Sequence, residues 1–529
     1  MSRLLRSRTL HVAVTAAAAL LLGRGAAACG SCAGAADDAT AAATTATETE
    51  TGSAVTAIVA GTVHVGDGTV LEDGVIVVRD GRIVSVAASG AIPDGADVVR
   101  LESAHVTPGL VDANARLEAR DLVAANARAA GRSPLVQLLT CSIHGEGDPC
   151  SCFGPELCRL SASHQDLEEE DMICPLCGFP GPPGIHDLIS GVQQGGPTPT
   201  ESSAEVVPHT WVADSLNLRS ADLERLAAEG VTTVYASPDN AAVIGPRGAI
   251  VRTAGPITER IVREAADVHA VMGTDSFRVG GGNSPPFRSF VGVNTRRPGS
   301  RMGVAWVFRK AMYDTINDAK GHAVGGADTP PHEALPVLAD VLEGEVPLRF
   351  AARSQRDIEK AIRLADEFGL RFTLLEAIEA HTTLEQLTAG GTRVVFGPIS
   401  MERGGWRDEA DTRFTTFVDL VRAGVPTALS AMDRREEDGL ARQAMYAMKS
   451  GATLQEALRA VTLTPAEILG IEDEVGSVAT GKRADLVVWS GEPFAATSRA
   501  VMVMAGGEVV VDRRDEDERS ATTELPDEI

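Results

Sequence analysis

Val106-Thr-Pro-Gly-Leu-Val-Asp112 and Gly476-Ser-Val-Ala-Thr-Gly-Lys-Arg-Ala-Asp-Leu-Val-Val-Trp489 decide how the chain is organised. The first closes a β-rich region and the second opens another. Upstream of the first lie the short runs Ala57–Val59, Val75–Arg79, Ile83–Ala87 and Val98–Leu101, separated by Asp73-Gly74 and Asp80-Gly81, both hairpin-type signals. In and after the second come Ala484–Trp489, Ala500–Ala505 and Glu508–Asp512, with Gly506-Gly507 as a turn. Two β-rich ends around a long middle read as one discontinuous β-sandwich, residues 54–107 with 471–512.

The middle, residues 108–470, alternates strand and helix signals. Val231–Ala236, Leu348–Ala352, Phe372–Leu375, Arg393–Phe396 and Thr427–Ser430 are short apolar runs. Between them, Gln355–Phe368 places Ile358, Ala361, Ile362, Ala365 and Phe368 on one helical face, and Arg413–Ala423, Gly439–Lys449 and Leu454–Ala460 fit further helices. Buried strands alternating with helices make a parallel α/β sheet. A (β/α)8 barrel and a doubly wound sheet both satisfy that pattern.

The two opening segments resemble the amidohydrolase superfamily, in particular its imidazolonepropionase-like and dihydroorotase-like branches. Gly230-Val-Thr-Thr-Val234, the helix after Asp357-Ile358 and Thr464-Pro-Ala-Glu-Ile-Leu-Gly470 are similar to further landmarks of it. The resemblance covers roughly residues 55–512 without the segment 141–200, and it selects the (β/α)8 TIM-like barrel with a composite β-sandwich. It implies hydrolysis of non-peptide C–N bonds, in amides or cyclic amides, by one or two divalent metals at the barrel mouth. Such metals lower the pKa of a bound water and polarise a carbonyl.

The resemblance also locates the metal ligands, and here the chain departs from it. The His-x-His place on the first barrel strand holds Asn114-Ala-Arg116. The mid-barrel strand that carries histidine reads Arg349-Phe-Ala-Ala-Arg353, with Ala351 and Arg353 at the ligand positions. Glu376 stands where a second histidine is expected. The catalytic aspartate position corresponds to Asp433 with a one-residue shift, or otherwise to Met432. None of the 11 histidines is separated from another by two positions, and all five lysines (310, 320, 360, 449, 482) fall outside mid-barrel strand ends. An amide oxygen is a feeble ligand and an arginine repels a cation. The family's catalytic divalent metal is therefore not expected at this mouth. Asn114, Arg116, Arg353, Glu376 and Asp433 read as a salt-bridge network in the place of the metal site, or as a rebuilt polar site in which Glu376 or Asp433 is a general base. Two functions follow: a C–N hydrolase, or an inactive barrel serving as an extracytoplasmic ligand-binding or scaffolding protein.

Residues 141–200 interrupt the barrel pattern and hold six of the eight cysteines: 141, 150, 152, 158, 174 and 177. Cys174-Pro-Leu-Cys177-Gly is a zinc-knuckle pattern, and Cys152 with Cys158 would complete a four-thiolate structural zinc site. Three disulfides are the competing reading, since an exported chain meets an oxidising environment. In both readings the cysteines staple an insertion.

Arg3, Arg6 and Arg8, the apolar run Val12–Leu22 and Ala26-Ala-Ala28 form a secretory signal over residues 1–28. Cys29 after the alanines resembles a bacterial lipoprotein processing site. Residues 29–53 read as a tether and 513–529 as an acidic tail. The mature protein is expected in the periplasm or cell envelope, touching a membrane only through its signal or a lipid on Cys29. A net charge of -25 (48 Lys+Arg against 73 Asp+Glu) repels phosphate backbones, so nucleic acid is an unsuitable partner. A small amide or anionic molecule is the expected ligand. Ser237 and Ser430 lie near strand ends without a His–carboxylate partner in the pattern. The Trp306–Phe308 stretch reads as core, and Gly280-Gly-Gly282 lacks the flanking strand and helix of a phosphate loop.

Overall fold

The computed structural model describes residues 55–117, 204–276, 298–326, 329–399, 413–435 and 438–514. The signal, the tether, Cys29, the six clustered cysteines, the 280–282 glycines and most of the acidic tail lie outside the described residues.

Seven strands from the two ends of the chain form one sheet. They are β1 (Val55–His64), β2 (Val70–Arg79), β3 (Arg82–Ala88), β4 (Asp97–Pro108), and, from the far end, β15 (Leu486–Trp489), β16 (Ala500–Ala505) and β17 (Glu508–Asp512). The order is β17-β16-β15-β4-β1-β2-β3, and the seam between the ends is the antiparallel pair β4–β15, with Thr107 opposite Val487. The alternation along β15 and β16 does two jobs. Leu486, Val488, Met502 and Met504 enter the sheet's own core with Ile58, Ile76 and Val106, whereas Val487, Trp489, Ala500 and Val503 join the large core of the α/β region. Both faces are covered, so β15 and β16 are buried at every residue. The edge strand β3 and the turn before it also meet the segment leading into β15: Ile83 N–H donates to Lys482 O (2.9 Å) and Ala484 N–H to Gly81 O (2.8 Å).

Asp80-Gly81 and Gly506-Gly507 are the expected tight turns, all four residues at positive φ. Asp73-Gly74 is not a turn. It lies inside β2, and pairing with β1 continues on both sides of it, Ala60 opposite Gly74 and Thr62 opposite Glu72. An Asp-Gly pair signals a hairpin only when its flanks pair with each other, and here both flanks pair with β1.

The middle of the chain is mixed α/β. β5 (Leu110–Ala115) and β6 (Val231–Ala236) pair in parallel. β7 (Ile244–Arg247) and β8 (Ala249–Arg252) are two halves of one extended segment broken at Gly248, and β9 (Ile261–Arg263) follows. β10 (Val268–Val271), β11 (Leu348–Ala352), β12 (Phe372–Glu376), β13 (Arg393–Phe396) and β14 (Thr427–Leu429) form a parallel run in that order. β8 is antiparallel to β6 and β7 antiparallel to β10, so this segment links the four-stranded sheet β5-β6-β8-β9 to the six-stranded one. That antiparallel segment is absent from the strict βα alternation read in the sequence; its Gly-Pro and Gly interruptions hide it. At the other end Arg116 N–H donates to Met432 O (3.1 Å) and Ser430 Oγ to Asn114 O (3.2 Å), bringing β14 back to β5.

The helices cover the outer faces. Gln355–Phe368 buries Ile358, Ala361, Leu364 and Ala365 and stops at Gly369, whose φ of 69° ends the helix as a left-handed cap. Its Phe368 packs partly on Phe308 of the helix Arg301–Ala319, their ring centroids 6.2 Å apart. Phe308 is core as expected. Trp306 is half exposed, because its position on that helix faces away from Phe308.

Gly81 carries the closure of the composite sheet. Its φ is 74°, and a Cβ there would stand 2.6 Å from the Gly506 backbone oxygen. Gly81→Ala is expected to lower stability by about 1–3 kcal/mol through left-handed strain and overlap. Guanidinium denaturation would read this as a lower midpoint at unchanged slope; an unchanged midpoint would mean the two chain ends meet less tightly than described.

Candidate functional site

The C-terminal ends of the parallel strands deliver a layer of charged side chains, as barrel-type sheets do. Period-2 alternation on β11 explains how. Leu348, Phe350 and Ala352 enter the large outer core, so Arg349, Ala351 and Arg353 share the opposite face. Ala351 packs there with Leu375, Val395 and Ala428.

The arginines flank this apolar floor. Below it, Arg349 pairs with Asp267, donates to Ala113 O (2.8 Å) and stacks its guanidinium 3.8 Å from the Tyr235 ring centroid. The Tyr235 hydroxyl donates to the same Asp267. Burial first, and the Asp267 charge second, push the phenol well above its ordinary range, so it stays a donor. Above the floor, Glu376 is buried at 1% exposure with φ of 69°. Its Oε1 accepts from Arg116 Nη2 (3.1 Å) and Asn240 Nδ2 (2.8 Å), and its Oε2 faces Arg353 Nε. Arg353 also pairs with Asp275, which accepts from Asn240 Nδ2 at 2.9 Å. Burial works to raise the Asp275 carboxyl, but the charge and hydrogen bond of Arg353, then Asn240 and Arg116, outweigh it and hold it below its ordinary range.

Asn240 sets the protonation of the last member. Its amide nitrogen is committed to the two carboxylates, so its Oδ1 accepts from His269 Nε2 at 2.9 Å. That bond makes His269 the Nε2–H tautomer and leaves Nδ1 a bare lone pair. Burial, then the charges of Arg116 and Arg349, push this imidazole down to about 3. It is neutral at every ordinary pH.

A second brace fixes the rim. Asp112 is fully buried and accepts from Asn114 N (2.9 Å) and Ala431 N (3.0 Å), tying β5 to the loop after β14; burial raises its carboxyl despite these bonds. Arg435 holds Asp222 with two bonds (2.8 and 2.9 Å) and donates to Met432 O and Arg116 O. Breaking a buried pair of this kind costs about 3–5 kcal/mol.

The sequence-selected residues divide accordingly. Arg116, Arg353 and Glu376 come together. Asn114 is buried on β5, its Oδ1 without a partner among the described residues. Asp433 stands apart: its side chain is 45% exposed, with Arg434 as its ion-pair partner at 3.8 Å. The preceding Met432 is buried at φ 53° and turns the backbone there. The second carboxylate at the arginines is therefore Asp275, not Asp433. Ser430 Oγ receives Met432 N–H and lies beside Asn114 O and the Asp112 carboxylate, and Ser237 Oγ donates to Pro238 O. Cys152, Cys158, Cys174 and Cys177 fall outside the described residues. Arg349 was within reach of the sequence, two residues before Ala351 on the same strand. Asn240 and Asp275 sit on loops with no periodic signal, and His269 looked like any lone histidine in an apolar run.

These residues do not fit a catalytic divalent cation. The positions facing Glu376 hold two guanidinium groups that never lose their charge, and they already occupy its oxygens. Among the described residues no group of three His, Cys, Asp or Glu side chains is arranged to hold a metal.

Comparison with known proteins agrees with this architecture. The profile described as Amidohydrolase family matches residues 419–511. Over 373 residues the chain is 24% identical to the amidohydrolase tasK of Hapsidospora irregularis, 66% of this chain and 36% of that protein. Over 155 residues it is 31% identical to the imidazolonepropionase of Paracidovorax citrulli (strain AAC00-1), 28% of this chain and 35% of that one. The crystal structure of an amidohydrolase from Thermotoga maritima MSB8 superposes with a TM-score of 0.63 at 25% identity, covering 86% of this chain and 100% of that one. The chain spans little more than a third of the length of these curated relatives. In fold and in sequence the chain is similar to proteins of the amidohydrolase superfamily.

The depressed His269 predicts an acid sensitivity. Its folded pKa of about 3 lies below the ordinary 6.5, so the unfolded chain binds the proton more readily. The contribution is fully present above about pH 6.5 and is lost as pH falls from there toward 3. Chemical denaturation of wild type and His269→Gln between pH 7.5 and 4.5 should show the wild type losing on the order of 2 kcal/mol more than the variant. Parallel pH profiles would show that His269 is not buried neutral.

Proposed function

We propose that the two α/β sheets close into one barrel and that this exported protein uses it as a ligand-binding module, without the metal-dependent hydrolysis that the fold supports elsewhere. One observation carries the reading: Arg116 and Arg353 both engage Glu376 where a metal's ligands would converge. Two fixed single charges stand in for a divalent cation, and two carboxylates, Glu376 and Asp275, balance them. A site with its charges cancelled has no surplus attraction for an anion. Three buried atoms without a protein partner among the described residues are Asn114 Oδ1, Arg116 Nε and His269 Nδ1. They offer two acceptors and one donor, the complement of a small amide. Glu376 is a poor general base in this setting, because each of its oxygens is already engaged by a cation.

The similarity to imidazolonepropionases keeps C–N bond hydrolysis as the second reading. Metal content separates the two. Protein lacking residues 1–53 and its Cys174→Ser/Cys177→Ser variant would be assayed by plasma mass spectrometry. The expected result is no divalent metal in the variant: zinc in the parent alone would be structural, and none in either would make the cysteines disulfides. About one metal per chain retained by the variant would overturn the proposal and restore the hydrolase.

A further inference from the structure

A cavity of about 600 Å³ lies away from the barrel mouth, where the closed edges of the composite sheet meet the β8–β9 region. Two arginines converge on it, Arg252 at the end of β8 and Arg483 before β15. Arg483 spends its Nε on Asp485 (2.9 Å), and Asp485 also receives Gly506 N–H (2.7 Å). The Arg483 guanidinium lies between two glycines: a Cβ on Gly255 would stand 3.7 Å from its Nη2, and one on Gly506 would overlap it. Arg252 spends Nη1 on the Glu259 carbonyl (3.0 Å). Among the described residues, neither Nη of Arg483 nor Nη2 of Arg252 has a protein acceptor.

We infer that this cavity is a binding site for a small organic monocarboxylate, held between the unused N–H groups of Arg252 and Arg483. Two like charges turned toward one cavity repel each other unless an anion sits between them. Burial, and then the Arg483 charge, depress the Arg252 guanidinium, which agrees with that repulsion. The planar guanidinium fork matches a carboxylate. Val78, Pro256 and Ala505 supply an apolar wall for the body of the ligand, and the volume is in the range of small-molecule sites. The two arginines are the local attraction for a carboxylate, and the acids around them limit it to a single charge. Arg82 is paired with Glu474 and Arg483 with Asp485, which leaves Arg252 as the one arginine of the cavity without a carboxylate ion-pair partner among the described residues. Asp80, Glu259 and Glu508 are exposed around the opening, so a dianion would be repelled.

The test titrates the full chain with benzoate by calorimetry at low ionic strength, against benzamide and inorganic phosphate, with Arg252→Gln and Arg116→Gln as variants. Expected are one saturable benzoate site, no benzamide binding, at least tenfold weaker benzoate binding in Arg252→Gln, and unchanged binding in Arg116→Gln. Arg252 is partly buried and its side chain makes a single hydrogen bond, to a backbone carbonyl, so its variant should keep the wild-type melting temperature; Arg252→Lys, keeping charge without the fork, should fall between. Equal affinity in wild type and Arg252→Gln, or no saturable binding, would overturn the inference. Loss in Arg116→Gln would move the ligand to the barrel mouth, and preference for phosphate would refute the ligand class.

Discussion

Two guanidinium groups on one buried carboxylate organise the centre of this protein. Glu376 has no access to bulk water, and burying a lone carboxylate is costly. Arg116 from β5 and Arg353 from β11 remove that cost together with Asn240, and in doing so they join three separate parts of the α/β region through one side chain. The constraint propagates outward. Arg353 is shared with Asp275, Asn240 is shared with His269, and the His269 tautomer follows from what Asn240 has left to give. Each member is satisfied only while the others keep their places, which is the behaviour of a connected polar network rather than of separate ion pairs.

On the reading proposed above, this network explains how the fold would tolerate a substituted metal site. A divalent cation at a barrel mouth neutralises the carboxylates that converge there. Two arginines supply the same charge, with the difference that each is tethered to a strand and cannot leave. The resulting layer is fixed in charge and in geometry. It can hold a polar ligand, but it cannot supply what a metal supplies to a bound water, namely a large downward pKa shift with an open coordination position. On that reading fold and chemistry separate here, as they do on other widely used scaffolds.

The composite sheet was legible in the sequence because period-2 alternation and glycine turns are local signals. β16, β17, the strands Val231–Ala236 and Leu348–Ala352 and the helix Gln355–Phe368 have the limits that alternation and helical spacing suggested. Asp73-Gly74 misled because pairing partners are not local. The antiparallel segment Ile244–Arg252 was hidden for a similar reason: its Gly-Pro and Gly positions look like loop, and only β6 and β10 on its two sides make it a strand. Of the site, Arg116, Arg353 and Glu376 were legible because resemblance marks their positions. Asn240, His269 and Asp275 were not, because their roles come from side-chain contacts between segments far apart in the chain. Asp433 shows the same limit from the other side: one residue of displacement, together with the turn at Met432, moves a carboxylate from a site to the surface.

The rim braces hold the arginine layer in place. Asp112 clamps the loop after β14 through Ala431, and Arg435 clamps that same loop to Asp222 on the helix Ala221–Ala228 while reaching the Arg116 carbonyl. Arg116 is thus held twice, by its side chain at Glu376 and by its backbone at Arg435 and Met432. A flexible arginine ordered only by its charge partner would lose much of the gain to side-chain entropy. Held at both ends, Arg116 meets Glu376 already in place. The ion pairs therefore depend on a preorganised backbone, and that backbone is fixed by the buried carboxylates Asp112 and Asp222.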